Sequence, residues 1–164
     1  MSTRPVETHG YRMNHTMLRV KDPKASLKFY QEVLGMDLIA TSGGSDFTLY
    51  FLAYDHSNGK ATQDEKQSQR FLREGIVELT HNHGTENDAN FVGYHNGNKD
   101  PRGFGHIAIT VPDVQAACDR FEKLGVPFQK KLTDGRMRHI AFILDPDGYW
   151  VEVLPNGYNS DPSA

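Results

Sequence analysis

His15-Thr16-Met17-Leu18-Arg19-Val20 returns later in the chain as His106-Ile107-Ala108-Ile109-Thr110-Val111. Each run opens on a histidine, alternates like a strand and closes on valine. A second phrase is doubled in the same order: Val77-Glu78-Leu79-Thr80-His81-Asn82 matches Val151-Glu152-Val153-Leu154-Pro155-Asn156, with a glutamate inside an apolar run. Two phrases repeated in register imply one structural plan used twice.

The elements between them agree. After the first run, Asp22-Pro23 opens a helix, because Asp caps and Pro suits the first helical position. Leu27, Tyr30 and Leu34 follow at helical spacing, and Gly35 is a natural stop. Strands are expected at Asp37–Ser42, Phe47–Ala53 and Ile76–His81, with Gly43-Gly44 turning between the first two. In the second half Pro112-Asp113 opens a helix whose face is Val114, Ala117, Cys118, Phe121 and Leu124, and Gly125 ends it. Phe128–Leu132, His139–Leu144 and Trp150–Leu154 read as strands, and Asp145-Pro146-Asp147-Gly148 as a type I turn. A β-α-β-β-β unit used twice is an α+β fold with two similar sheets.

The expected organisation is a polar tail over 1–13, a first module over 14–82 and a linker over 83–104. A second module over 105–157 and a tail over 158–164 follow. The first module carries a polar insertion over 55–69, read as a loop with a short helix near Glu65–Arg73. Both polar stretches are of the kind recruited to sites or left mobile.

Bulk properties bound the rest. The chain has 164 residues, 37% hydrophobic and 24% charged, enough for a core of ordinary size. A net charge of −3 gives no global attraction to nucleic acid or membrane. No run reaches the roughly 18 apolar residues of a spanning helix. The single cysteine, Cys118, has no internal disulfide partner, so a reducing, cytoplasmic setting is the simplest reading.

Side chains alternate along a strand. His15, Met17 and Arg19 therefore share one face, opposite Leu18 and Val20. His106, Ala108 and Thr110 share another, opposite Ile107, Ile109 and Val111. Ile76, Glu78, Thr80 and Asn82 fall together, as do Glu152 and Leu154. A carboxylate in an apolar strand is costly to bury unpaired, and a metal ion removes that cost at both Glu78 and Glu152. Two imidazoles and two carboxylates suit Zn²⁺, Ni²⁺, Co²⁺, Fe²⁺ or Mn²⁺. Taken singly, a histidine at a strand start is usually structural and a strand glutamate usually an edge or ion-pair residue. The doubling is what favours a site. His81 and His83 are expected opposite Glu78, His95 and His139 near the site or on the surface, and His9 and His56 in loose segments.

The chain resembles glyoxalase I, or lactoylglutathione lyase, of the vicinal-oxygen-chelate superfamily, over about residues 14–156. The resemblance rests on the doubled runs, on Phe29-Tyr30 with Val33-Leu34-Gly35-Met36, on Glu78-Leu79-Thr80-His81-Asn82, on Asp100-Pro101-Arg102-Gly103-Phe104-Gly105-His106-Ile107 and on Asp145-Pro146-Asp147-Gly148-Tyr149-Trp150. It implies paired β-α-β-β-β modules and a homodimer with each site shared between subunits. It implies metal ligands His15, Glu78, His106 and Glu152, the first two from one chain and the last two from its partner. The implied reaction isomerises the hemithioacetal of methylglyoxal and glutathione to S-D-lactoylglutathione through a metal-bound enediolate. Glu152 is the implied base, and Glu78 its opposite-face counterpart for the other stereoisomer. Arg19, Asn82, Arg102, Lys130, Arg136 and Met137 are the implied glutathione contacts, with Gly135-Arg136-Met137 at a hairpin tip. The insertions resemble the zinc-dependent class, whereas His15 stands where that class in eukaryotes usually has Gln. Zinc is favoured, with nickel or cobalt as alternatives.

Two other classes fit the fold. One is a non-catalytic binder of small molecules. The other is a different metal enzyme of the superfamily, a thiol transferase or a ring-cleaving dioxygenase. The complete His/Glu/His/Glu set argues against the binder.

Overall fold

Alternating burial builds the sheets. In the computed structural model, which describes residues 4–157, strand β1 (His15–Val20) buries Leu18 and Val20 and exposes His15, Met17 and Arg19. Residues 158–164 of the expected C-terminal tail, and the first three residues, lie outside the described part. β1 pairs in parallel with β4 (Ile76–Asn82). β4 pairs antiparallel with β3 (Phe47–Ala53), and β3 with β2 (Asp37–Gly43), giving the order β1-β4-β3-β2. β4 lies inside the sheet with neighbours on both sides, which is why Ile76 through His81 are all buried.

The second sheet repeats this. β5 (His106–Val111) lies parallel to β8 (Trp150–Pro155), which pairs antiparallel with β7 (Ala141–Leu144), and β7 with β6 (Phe128–Lys130). The order is β5-β8-β7-β6. The expected two-sheet α+β architecture is the one found. Val20, Tyr30, Ile39, Leu52, Ile76 and Leu79 are fully or almost fully buried in the first unit, and Ile143, Val151 and Val153 in the second.

The chain divides into two compact units. One comprises the residues up to Pro23 with Tyr30–Ala89, the other Lys24–Phe29 with the residues from Asn90 on. Helix α1 (Pro23–Lys28) contributes its residues from Lys24 to the second unit, where Ser26 is fully buried and donates to Asp147 Oδ2 at 3.3 Å. The expected helix through Leu34 is not α throughout. Phe29–Val33 widens into a π turn, and the Met36 amide donates to Tyr30 O at 2.9 Å across Gly35, whose φ is +76°. Another helix (Val114–Lys123) is capped by Asp113 and buries Val114, Cys118 and Phe121. Its Leu124, expected on the apolar face, is the C-cap residue and is exposed. Burial pushes the Cys118 thiol pKa up, as suits a core residue.

The polar insertion is ordered by its own side chains. Asp55 accepts from the Ser57 and Gly59 amides. A short helix (Gln63–Ser68) starts with a capping box between Thr62 and Glu65, and a 3₁₀ turn (Arg70–Leu72) follows. Gln63 donates to the carbonyls of Leu38 and Ile39, and Lys66 pairs with Asp37 at 2.6 Å. The helix therefore starts earlier than expected and breaks at Gln69.

Two expected strands are shorter. Phe128–Leu132 stops at Lys130 and His139–Leu144 begins at Ala141. Side chains divert the ladder groups: Lys130 Nζ takes the carbonyls of Lys131, Met137 and Ile140, and Asp134 takes the Lys131 amide. In the linker, Asn96 donates to Gly148 O and Asn98 to Gly105 O, which fixes the entry to β5 and hence His106.

Gly97 has φ +82°, and a Cβ there would overlap the Phe104 carbonyl. Gly97→Ala should cost about 1–3 kcal/mol from backbone strain alone, read as a lower urea midpoint; an unchanged midpoint contradicts this packing. Hydrogen bonds from Ser57, aided by Gly59 and the Lys66 charge, hold the Asp55 carboxyl well below the usual carboxylate range. A depressed folded pKa gives stability that is complete above the unfolded value, about 3.9, and is lost as pH falls through the folded one. Asp55→Ala should lower Tm at pH 7, with the gap from wild type closing below about pH 4; a gap that persists at acid pH counts against this turn.

Candidate metal centre

The parallel register of β1 on β4 sets Met17 opposite Glu78. His15 lies two residues earlier on the same face, so its ring reaches forward and its Nε2 lies 3.2 Å from Glu78 Oε2. Phe51 stands opposite Glu78 on the other flank. Its ring meets His15 edge-on, with centroids 6.1 Å apart. The Glu78 side chain is 12% exposed. An acid so deep needs partners; the Thr80 hydroxyl donates to Oε1 at 3.3 Å, and Oε2 is the oxygen turned toward the imidazole.

The second sheet makes the same object. Ala108 stands opposite Glu152, and His106 Nε2 lies 3.2 Å from Glu152 Oε2. Phe142, opposite Glu152 on the other flank, meets His106 edge-on at 5.3 Å. The copies differ in what surrounds the pair. Leu154 stands at the position of Thr80, so Glu152 receives no hydroxyl there. Gly105 stands at the position of Asn14, whose Oδ1 lies 2.8 Å from His15 Nδ1.

Among the described residues no three His, Cys, Asp or Glu side chains converge; each module holds a pair. The pairs fit a divalent ion in chemistry and in spacing. Imidazole nitrogen and carboxylate oxygen bind such ions at about 2.0–2.2 Å, so adjacent ligand atoms on one ion stand roughly 2.9–3.4 Å apart. Both N···O separations are 3.2 Å.

The other sequence candidates divide. Arg19 and Asn82 come together, with Arg19 Nη1 donating to Asn82 Oδ1 at 2.8 Å beside the first pair. Arg102 is exposed, its Nε 3.7 Å from Asp100 Oδ1. Arg136 and Met137 are exposed in the loop between β6 and β7, longer than the expected hairpin tip. Lys130 spends all the donors an ammonium has on three carbonyls of that loop. His81 turns away from Glu78, as expected, and pairs with Glu86 at 2.7 Å. Hydrogen bonding to the Glu86 amide first, then to His81, holds the Glu86 carboxyl below its ordinary value.

Sequence reasoning did not single out Asn14, Phe51 or Phe142. Asn14 is adjacent to a nominated histidine, a signal that was present. The phenylalanines are on the face only through the β3/β4 and β7/β8 registers, which pattern alone does not give.

Comparisons with known proteins place the chain in a family. The model of the Glyoxalase/Bleomycin resistance protein/Dioxygenase superfamily matches residues 12–153. A lactoylglutathione lyase of Pseudomonas putida is 57% identical over 150 residues, 90% of this chain and 86% of that protein. The glyoxalase I of Saccharomyces cerevisiae is 48% identical over 158 residues, and the match covers 93% of this chain but only 46% of the yeast protein. Among solved structures, the glyoxalase I of Leishmania major, described as trypanothione-dependent, aligns with a TM-score of 0.65 at 33% identity, covering 88% of this chain and 86% of that one. The chain belongs to the Glyoxalase/Bleomycin resistance protein/Dioxygenase superfamily and, within it, to the glyoxalase I family.

Proposed function

We propose that this chain is a metal-dependent lactoylglutathione lyase. The substrate is the hemithioacetal of methylglyoxal and glutathione, and the product is S-D-lactoylglutathione. The observation that carries the reading is the duplicated His–Glu pair in a chain 57% identical to a lactoylglutathione lyase over 90% of its length.

His15, Glu78, His106 and Glu152 would hold one divalent ion, zinc in preference to nickel or cobalt. When bound, the ion supplies Lewis acidity to the adjacent hydroxyl and carbonyl oxygens of the substrate. Two donors make half a coordination sphere, so we propose that the first-module pair of one chain meets the second-module pair of a partner chain. A two-fold axis then makes two identical sites.

The isomerisation moves one proton between the two carbons and one between their oxygens, and needs no external electrons. The Glu152 carboxylate takes the proton from C1, the carbon bearing sulfur. The carried proton is delivered to the neighbouring carbon, while the C1 hydroxyl proton passes to that neighbour's oxygen; C1 thereby becomes the thioester carbonyl, and the neighbouring carbonyl becomes the hydroxyl of the lactoyl group. Glu78 faces the opposite side and serves the other stereoisomer. The contrast between the carboxylates supports this assignment: Glu78 is held by Thr80, while Leu154 leaves Glu152 without a matching donor.

Glutathione brings two carboxylates, and Arg19 and Arg102 are suited to grip them, since a guanidinium holds a carboxylate bidentately. Asn82 orients Arg19. Arg136 and Met137 form the exposed edge over the tripeptide, and Lys130 sets the loop that carries them.

Thioester absorbance from methylglyoxal and glutathione checks this directly. Metal-stripped protein should be inactive and recover on adding Zn²⁺ or Ni²⁺; undiminished turnover without metal contradicts the reading. Glu152→Gln should lower kcat by about 10²–10⁴-fold, the range of a positioned general base, with an unchanged circular-dichroism spectrum. Near-normal turnover on both stereoisomers would remove Glu152 as the base.

A further inference from the structure

We infer that Asn14 is the positioning residue for His15, and that the polar insertion exists in part to hold Asn14. The inference rests on His15 being a metal ligand, as proposed above. It follows from hydrogen-bond bookkeeping around one amide. Asn14 Nδ2 lies 2.9 Å from Arg70 O and 2.9 Å from Arg73 O. Carbonyls only accept, so the amide nitrogen must be the atom facing them, and both its hydrogens are used. The orientation of an asparagine amide is ordinarily ambiguous; here two carbonyls decide it.

The consequence passes to His15. Asn14 Oδ1 lies 2.8 Å from His15 Nδ1 and has no hydrogen to give. Nδ1 must therefore carry the proton and donate. In the neutral ring that leaves the lone pair on Nε2, the nitrogen 3.2 Å from Glu78 Oε2. Two acceptors then face each other at the spacing of adjacent ligands on one cation. A histidine ligand whose other nitrogen donates to an oxygen is fixed in tautomer and ring angle and is a better base toward metal.

Asn14 is itself pinned. Its backbone carbonyl accepts from the Ile76 amide at 3.1 Å, at the start of β4. Its amide is tied to the 3₁₀ turn that directly follows the insertion, whose helix is anchored by Gln63 and Lys66. The insertion thus reaches the site through one side chain. At His106 the matching position is Gly105, which has no side chain to brace the ring. The two half-sites are inequivalent by construction: one held by Asn14 and Thr80, the other without either.

The test reads the tautomer and metal affinity rather than turnover. In the metal-free full chain at about pH 8, where an ordinary imidazole is neutral, long-range ¹H–¹⁵N spectra should show His15 with its proton on Nδ1. The signal is assigned by its loss in His15→Ala. In Asn14→Ala the ring should no longer be held as the Nδ1–H form, and Zn²⁺ affinity should fall about 10–100-fold. A wild-type ring protonated on Nε2 alone overturns the inference whether or not the variant folds. So does Zn²⁺ affinity that is unchanged in Asn14→Ala but lost in His15→Ala. Affinity unchanged in His15→Ala overturns instead the reading of His15 as a ligand.

Discussion

Everything at the site depends on placing a carboxylate in the middle of a sheet beside an imidazole on the neighbouring edge strand. Glu78 sits on β4 with β1 and β3 on either side, and its side chain is almost out of water. The parallel β1/β4 register puts His15 one pleat back on the same face, close enough for Nε2 to reach the carboxylate. A slip of one residue would turn either side chain to the helix-facing side. The apolar alternation of Leu18, Val20, Val77 and Leu79 prevents that slip, since it fixes which face is core. Packing therefore sets the chemistry.

The same constraint operates twice, and the differences between the copies carry functional content. The imidazole, the carboxylate and the edge-on phenylalanine are preserved as His15, Glu78 and Phe51, then His106, Glu152 and Phe142. What changes is the support. Asn14 and Thr80 hold the first pair, and Gly105 and Leu154 stand in their places beside the second. On the proposed reaction, the restraint suits the carboxylate that mainly holds the ion and the freedom suits the one that also carries the proton.

Much of this was legible in the chain. Period-two alternation and the doubled phrases gave both sheets, the faces of His15, Glu78, His106 and Glu152, and the neighbourhood of Arg19 and Asn82. Hydrogen bonding from side chain to backbone was not legible, because it follows no period. It shortened the strands around Lys130 and Asp134, ordered the insertion through Asp55, Thr62 and Gln63, and joined Asn14 to Arg70 and Arg73 across a long stretch of sequence. The π turn at Phe29–Val33 was hidden for a related reason: its apolar spacing is close to that of an α-helix.

The central claim is that each His–Glu pair is half of a site completed by a second chain. Complementation tests it most directly. One chain carries His15→Ala with Glu78→Ala, the other His106→Ala with Glu152→Ala, and each alone should be inactive. Mixed under conditions that exchange subunits, they should regain roughly a quarter of wild-type activity, since half the dimers are mixed and each then holds one intact site of two. Mixtures that form mixed dimers yet stay inactive would contradict the account.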